Sequence, residues 1–142
     1  MLKKIGKFIK KLCDCFDEVE IRSISQKELH GLFEASDFVK EFDSFSSVWG
    51  YGDVYGALHY GQVVAYISVI PCGEIVSLWV EPNYRDRGIA NILLDKYSRD
   101  CTDVLVFHDN HKAIHLYKKF GFTTEAGDRK LMTLRKPYAS LR

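Results

Sequence analysis

Apolar and polar residues recur with two different periods along this chain, and the switches between them outline its elements. In residues 2–16, Leu2, Ile5, Phe8, Ile9, Leu12 and Phe16 fall at helical spacing, while Lys3, Lys4, Lys7, Lys10 and Lys11 fill the opposite face. A basic amphipathic helix is expected there. Residues 19–24 read as a first strand. Ser25, followed three residues later by Glu28, has the form of a capping box and predicts a helix over 26–35. Phe38, Val39 and Phe42 share one helical face, which suggests a short second helix within 36–45. Three strands follow, at 54–60, 63–70 and 74–80, divided by a hairpin turn at Gly61-Gln62 and a break at Pro71-Cys72-Gly73. Pro82 ends the third. From about Gly88 to Cys101 the period is helical again, with Ile92, Leu93 and Tyr97 facing inward. Residues 104–108 read as a strand, 110–120 as a helix stopped by Gly121, and 122–125 and 130–135 as two closing strands. Strands and helices interleaved in this way predict an α/β (α+β) domain, a mixed central β-sheet with helices on both faces. No repeat or interior linker interrupts the pattern. The chain therefore divides into a basic extension, residues 1–17, and one domain, residues 18–142.

Composition narrows the class. In 142 residues, 46% hydrophobic and 27% charged, there is material for one core of ordinary globular type. No apolar run nears the ~20 residues of a membrane span, and residues 1–12 lack the apolar core of a signal peptide. Cys13, Cys15, Cys72 and Cys101 match no zinc spacing, and Cys13 and Cys15 are too close for a usual structural disulfide. No metal is expected, and reduced thiols point to a cytoplasmic protein. The formal charge is +1, but five lysines and no acid stand in residues 1–12, which leaves −4 on the remainder. A mildly acidic domain gives no strong nucleic-acid signal. The Lys-rich segment 2–16 suits a membrane surface, a partner or its own acidic domain, and the last is preferred.

The chemistry centres on residues 84–94, Tyr-Arg-Asp-Arg-Gly-Ile-Ala-Asn-Ile-Leu-Leu. They join an apolar strand to a helix. The first N–H groups of a helix have no partner within it, and its dipole favours negative charge there. Gly88 and Ala90 let a phosphate approach the backbone, and Arg85 and Arg87 add cationic donors. A phosphorylated cofactor is the expected ligand. Neither a P-loop nor a dinucleotide glycine fingerprint occurs.

The string Arg85-x-x-Gly88-x-Ala90 resembles the pyrophosphate motif of the GNAT acetyltransferases, Gln/Arg-x-x-Gly-x-Gly/Ala. A second segment, with Asn110, Ala113, Tyr117, Gly121 and Phe122, is similar to that family's Asn-x-x-Ala-x-x-x-Tyr-x-x-x-Gly-Phe signature. The two stand in the family's order, and the resemblance spans roughly residues 18–136. It implies the GNAT fold and acetyl-CoA as acyl donor, with the pyrophosphate on Arg85, Asp86, Arg87, Gly88, Ile89 and Ala90. It further implies that the pantetheine arm pairs with the backbone of Leu78, Trp79 and Val80 and touches Asn110 and Tyr117. Asn110 also has the character of a helix cap in its own right.

Transfer to an amine needs three things of the protein. An oxyanion-type donor must steady the thioester carbonyl, and the family pattern places this on the Val80 N–H. A base must take the proton of an amine with a pKa of about 10. Glu74 opens Glu74-Ile75-Val76 at the offset used by lysine acetyltransferases of the family; a solvated strand-end glutamate is the competing reading, and Glu81 and His108 are rivals. An acid must protonate the leaving thiolate, and Tyr117 falls on the signature tyrosine. One departure stands out: ribosomal-protein amino-terminal acetyltransferases carry a catalytic Glu where this chain has Leu105. The expected activity is N-acetylation of a protein amine, lysine or amino terminus. A small-molecule amine or an aminoacyl-tRNA is the alternative acceptor, and a non-catalytic acyl-CoA-binding module the rival of another class.

Overall fold

The computed structural model of the protein describes residues 8–11, 18–35, 52–127 and 131–136. Its described strands form one eight-stranded sheet in the order β1-β2-β3-β4-β5-β6-β8-β7. They are β1 Phe8–Lys11, β2 Glu18–Ser23, β3 Asp53–His59, β4 Gln62–Ile70, β5 Glu74–Val80, β6 Asp103–Phe107, β7 Thr124–Gly127 and β8 Leu131–Arg135. Among the described residues three α-helices accompany them: α1 Gln26–Ala35, α2 Ile89–Tyr97 and α3 His111–Lys119. All neighbouring pairs are antiparallel except β5 and β6. This is the mixed sheet that the interleaved pattern predicts. No described helix is long and apolar enough to cross a membrane.

The sheet separates two cores. On one face, Ile89, Leu93 and Leu94 of α2 and Tyr117 of α3 pack with Ala65, Ile67, Ile75, Val104 and Val106. On the other, Leu29, Leu32 and Phe33 of α1 cover Val54, Leu58 and Tyr66. Strand β4 is buried from Val63 to Ser68 without interruption, as expected of a strand covered on both faces. The capping box forms as written: Ser25 N–H donates to Glu28 Oε1 at 2.9 Å, and Glu28 N–H to Ser25 Oγ at 3.2 Å. Arg22 then grips the Glu28 carboxylate with both terminal nitrogens, tying α1 to β2.

Two expectations are corrected. The helix expected over residues 2–16 gives way, where the structure describes it, to strand β1. Phe8 stands opposite Ile21 and Lys11 opposite Glu18. The spacing of apolar residues does fit a helix, but an isolated short helix is marginal, and the outer edge of β2 offers a full row of backbone partners. The rest of that helix and the short helix expected over 36–45 lie outside the described residues. The hairpin turn also sits one residue early. It is Tyr60-Gly61, with φ of 51° and 76°, between the paired His59 and Gln62. Two consecutive left-handed residues make the turn whose twist matches the strands.

Candidate active site

The site originates in a fault in the sheet. Between β4 and β5 the register shifts: Ser68 faces Ser77, but Val69 faces Ile75, so Val76 is an extra residue. A bulge of this kind bends its strand. On its other side, β5 pairs with β6 only at Glu74 opposite Asp103 and Ile75 opposite Val104. From Val76 onward the two parallel strands part. At the mouth of the opening, Glu81 N–H donates to Val64 O at 2.8 Å, while Ala65 faces Val80. In an antiparallel ladder this alternation turns the N–H and C=O of Val80 away from β4, toward the opening, and those of Leu78 likewise. Trp79 turns the other way, to Tyr66. The splayed edge thus presents polar backbone at two of the three strand residues that the sequence points to.

The loop that follows is held by small contacts. A single 3₁₀ turn, Pro82–Tyr84, leaves the strand, with Tyr84 N–H bonded to Glu81 O at 2.8 Å. The Tyr84 hydroxyl meets His59 Nδ1 at 2.8 Å. Arg85, expected as a phosphate donor, uses its Nε–H for the carbonyl of Val80 at 2.8 Å, and its guanidinium lies 4.6 Å over the Trp79 ring. It fastens the loop to the end of β5. Asp86 has φ of 61° and Gly88 φ of 85°. A Cβ at Gly88 would meet nothing within 4 Å. Gly88 heads α2 with no side-chain cap and no acid in the first turn. The first bond within the helix runs from Ile92 N–H to Gly88 O, so the N–H groups of Ile89, Ala90 and Asn91 precede the ladder. Ile89 is itself buried and pins the helix start against the core. Arg87 stands beside it, its Nε–H near Asn83 O at 3.4 Å.

Helix α3 starts alongside. Asn110 Oδ1 accepts from Ala113 N–H at 3.2 Å, the cap expected of it. Lys112 in the first turn reaches back to Asp86 Oδ1 at 2.7 Å, and this hydrogen bond holds the Asp86 carboxyl below its usual range. Two helix amino termini therefore lie side by side, joined by a pair 26 residues apart. Lys112 escaped the sequence reading because only the fold brings it to the loop. Further along α3, Tyr117 is buried, its ring edge-on to Phe122 at 6.0 Å. Burial pushes its phenol well above the ordinary value.

Glu74 is half-buried at the closed end of the opening, opposite Asp103. Val80 is six residues on. At a rise of about 3.3 Å per residue this is roughly 20 Å, whereas Leu78 is roughly 13 Å away. The strand thus separates Glu74 from the mouth of the opening. Glu81 is at the mouth and accepts Trp79 Nε1–H at 3.2 Å, and His108 is exposed beyond the end of β6. Near the bulge, Tyr66 and Ser77 share a buried hydroxyl contact of 2.6 Å that the sequence did not suggest.

The same fold recurs among known proteins. The family model described as the acetyltransferase (GNAT) family matches residues 18–122. Among solved structures, the GNAT domain of S. lividans PAT superposes with a TM-score of 0.69 at 18% identity, covering 94% of this chain and 98% of that one. Arabidopsis thaliana Naa50, in complex with the bisubstrate analogue CoA-Ac-MVNAL, gives 0.66 at 21% identity, covering 84% and 99%. The ribosomal-protein-S18-alanine N-acetyltransferase of Escherichia coli gives 0.60 at 18%, covering 84% and 93%. No curated protein matches the chain significantly. Identities this low speak for the fold, but the family match covers most of the chain, and so the protein belongs to the GNAT family as an acetyltransferase that uses acetyl-CoA.

Proposed function

We propose that the protein transfers the acetyl group to a primary amine of a protein, a lysine side chain or an amino terminus, in the cytoplasm. One observation carries the reading. The backbone of Leu78 and Val80 faces the gap between β5 and β6, and the uncapped start of α2 stands at its mouth. The chain's own groups fit acetyl-CoA. The open space at Gly88 admits a phosphate, the N–H groups of Ile89, Ala90 and Asn91 bind it, and Arg87 and Lys112 add positive charge beside it. The Leu78–Val80 edge takes the pantetheine arm, with Asn110 and Tyr117 on the opposite wall.

Acetyl-CoA supplies the acyl group and the sulfur leaving group; the remaining steps belong to the protein. A backbone N–H on the β5 edge donates to the thioester oxygen as charge grows there, at no cost of reorganisation. The shorter distance to Glu74 favours Leu78 for this task and leaves Val80 for the arm. Glu74 accepts the proton of the amine through intervening water; Glu81, beside Val80, is the alternative acceptor. Tyr117 hydrogen-bonds the departing sulfur and supplies its proton. Burial keeps the phenol protonated through the neutral range, and the same dry surroundings raise the proton affinity of the thiolate. Mass spectrometry of the acetylated proteome with and without this chain tests the reading. New acetyl groups on lysines or amino termini support it. Acetylated small amines with an unchanged proteome contradict the choice of acceptor.

A further inference from the structure

Two large apolar side chains stand in the open beside the transfer edge. Leu105 is 44% exposed and Phe107 57%. Their neighbours Val104 and Val106 are buried against α2 and α3, so alternation puts Leu105 and Phe107 on the other face of β6. That face carries Ser77, whose hydroxyl meets Tyr66 in the α1 core, and Trp79, which packs against that same core. Because β6 runs parallel to β5 from the shared pair Ile75 and Val104, Leu105 comes level with Val76 and Phe107 with about Leu78, so both stand on the β6 side of the gap along its deeper part. An amine cannot reach the gap through the face that α2 and α3 fill. It must come over this one.

We infer that Leu105 and Phe107 form the wall that selects the acceptor, and that the acceptor is a peptide amino terminus whose first side chain is large and apolar. The inference rests on the transfer reading above and narrows its substrate. Glu74 at the start of β5 and Glu81 just past its end favour a cationic amine, while beyond Asp103 this face of β6 offers the hydrocarbon of Leu105 and Phe107. An amine with an apolar group on the adjacent carbon satisfies both walls at once. A lysine side chain presents its bare methylene stem instead. The face also continues past the two side chains. Thr133, opposite Leu105, is half-buried, and Asp103 and Arg135 form an open ion pair at 3.1 Å on the same face. A peptide running on from its first residue therefore meets polar surface, which a small amine would leave unused.

The test compares kcat/KM for otherwise identical peptides beginning with Leu, Phe, Ser or Gly, a lysine peptide with a blocked amino terminus, and phenethylamine. Wild type should prefer the Leu and Phe peptides over Ser and Gly by about 10–100-fold, the scale on which apolar pockets discriminate. Leu105→Thr and Phe107→Ser, both at exposed positions, should reduce that ratio to within a few-fold of unity, mainly through KM. Acetyl-CoA affinity should not change. Titration of the Leu peptide into the CoA-saturated protein reads the wall without turnover. Tighter binding of Leu than Ser peptide by wild type, lost in Phe107→Ser, supports the wall even if no acetyl group moves, an outcome that would sink the transfer reading alone. Equal binding of Leu and Ser peptides, an unchanged ratio in both variants, or preference for the lysine peptide or phenethylamine would overturn the inference.

Discussion

Gly88 separates two demands that one residue meets at once. Its φ of 85° is a conformation that residues with a Cβ rarely adopt, and its missing side chain leaves the start of α2 open. Gly88→Ala should therefore cost twice. The strained backbone costs about 1–2 kcal/mol of stability. The added methyl group also stands where a phosphate would approach the N–H groups of Ile89 and Ala90. Hydrogen bonds to a charged group contribute about 1.5–3 kcal/mol each, so weakening one should reduce acetyl-CoA affinity about 10–100-fold. Gly61 supplies the control. It has φ of 76° in the β3–β4 turn, and a Cβ there likewise meets nothing within 4 Å. Gly61→Ala should show the same loss of stability with acetyl-CoA affinity retained. Gly88→Glu, which adds an anion at the anion site, should abolish binding. Thermal unfolding and calorimetric titration of all four proteins read the two effects separately. If Gly88→Ala loses stability as Gly61→Ala does yet binds acetyl-CoA like wild type, Gly88 serves only the turn and the phosphate assignment is wrong.

Three further outcomes follow from the structure. Tyr117→Phe keeps the ring packed on Phe122 and removes the proton donor, so turnover should fall about 10²–10⁴-fold, far more than acetyl-CoA binding weakens, as measured by single-turnover kinetics and calorimetry; equal rates would make Tyr117 a packing residue. Glu74→Gln should depress kcat/KM at neutral pH and recover in part as pH rises, because more amine is then already neutral; superimposable pH–rate profiles would move the base role to Glu81 or His108. The hydrogen bond from Arg22 holds the Glu28 carboxyl down at about 2, against about 4.3 in an unfolded chain. Its contribution is complete above the unfolded value and is lost as pH falls from about 4.5 toward 2, so wild type should lose about 1–2 kcal/mol more than Glu28→Gln over that range in urea unfolding, and identical losses would refute the assignment.

How much of this the sequence shows depends on the range of the interaction. Local signals were legible. The capping box of Ser25 and Glu28, the Asn110 cap, the apolar runs of β4 and β5 and the Arg-Gly loop before α2 all depend on residues within a few positions of one another. What escaped depends on pairing across the fold. Phe8–Lys11 joins β2 because an edge was available, and nothing in its own spacing says so. The extra residue Val76, which parts β5 from β6, becomes visible only once β4 is laid beside β5. Alternation alone puts Leu105 and Phe107 on one face, but whether that face is covered is a property of the whole sheet. Arg85 stands in the Arg-Gly loop, but the Val80 carbonyl and the Trp79 ring that engage it lie on the preceding strand.

The central claim is that the gap between β5 and β6 is a place of reaction rather than only of binding. It is tested most directly by the amine-dependent release of free CoA thiol from acetyl-CoA, followed together with the mass of the acceptor. Release should require the amine, match the acetylated product one for one, and disappear in Gly88→Glu. Tight binding of acetyl-CoA with no thiol released, whatever peptide or small amine is supplied, would contradict the account and leave the protein an acyl-CoA-binding module on an acetyltransferase fold.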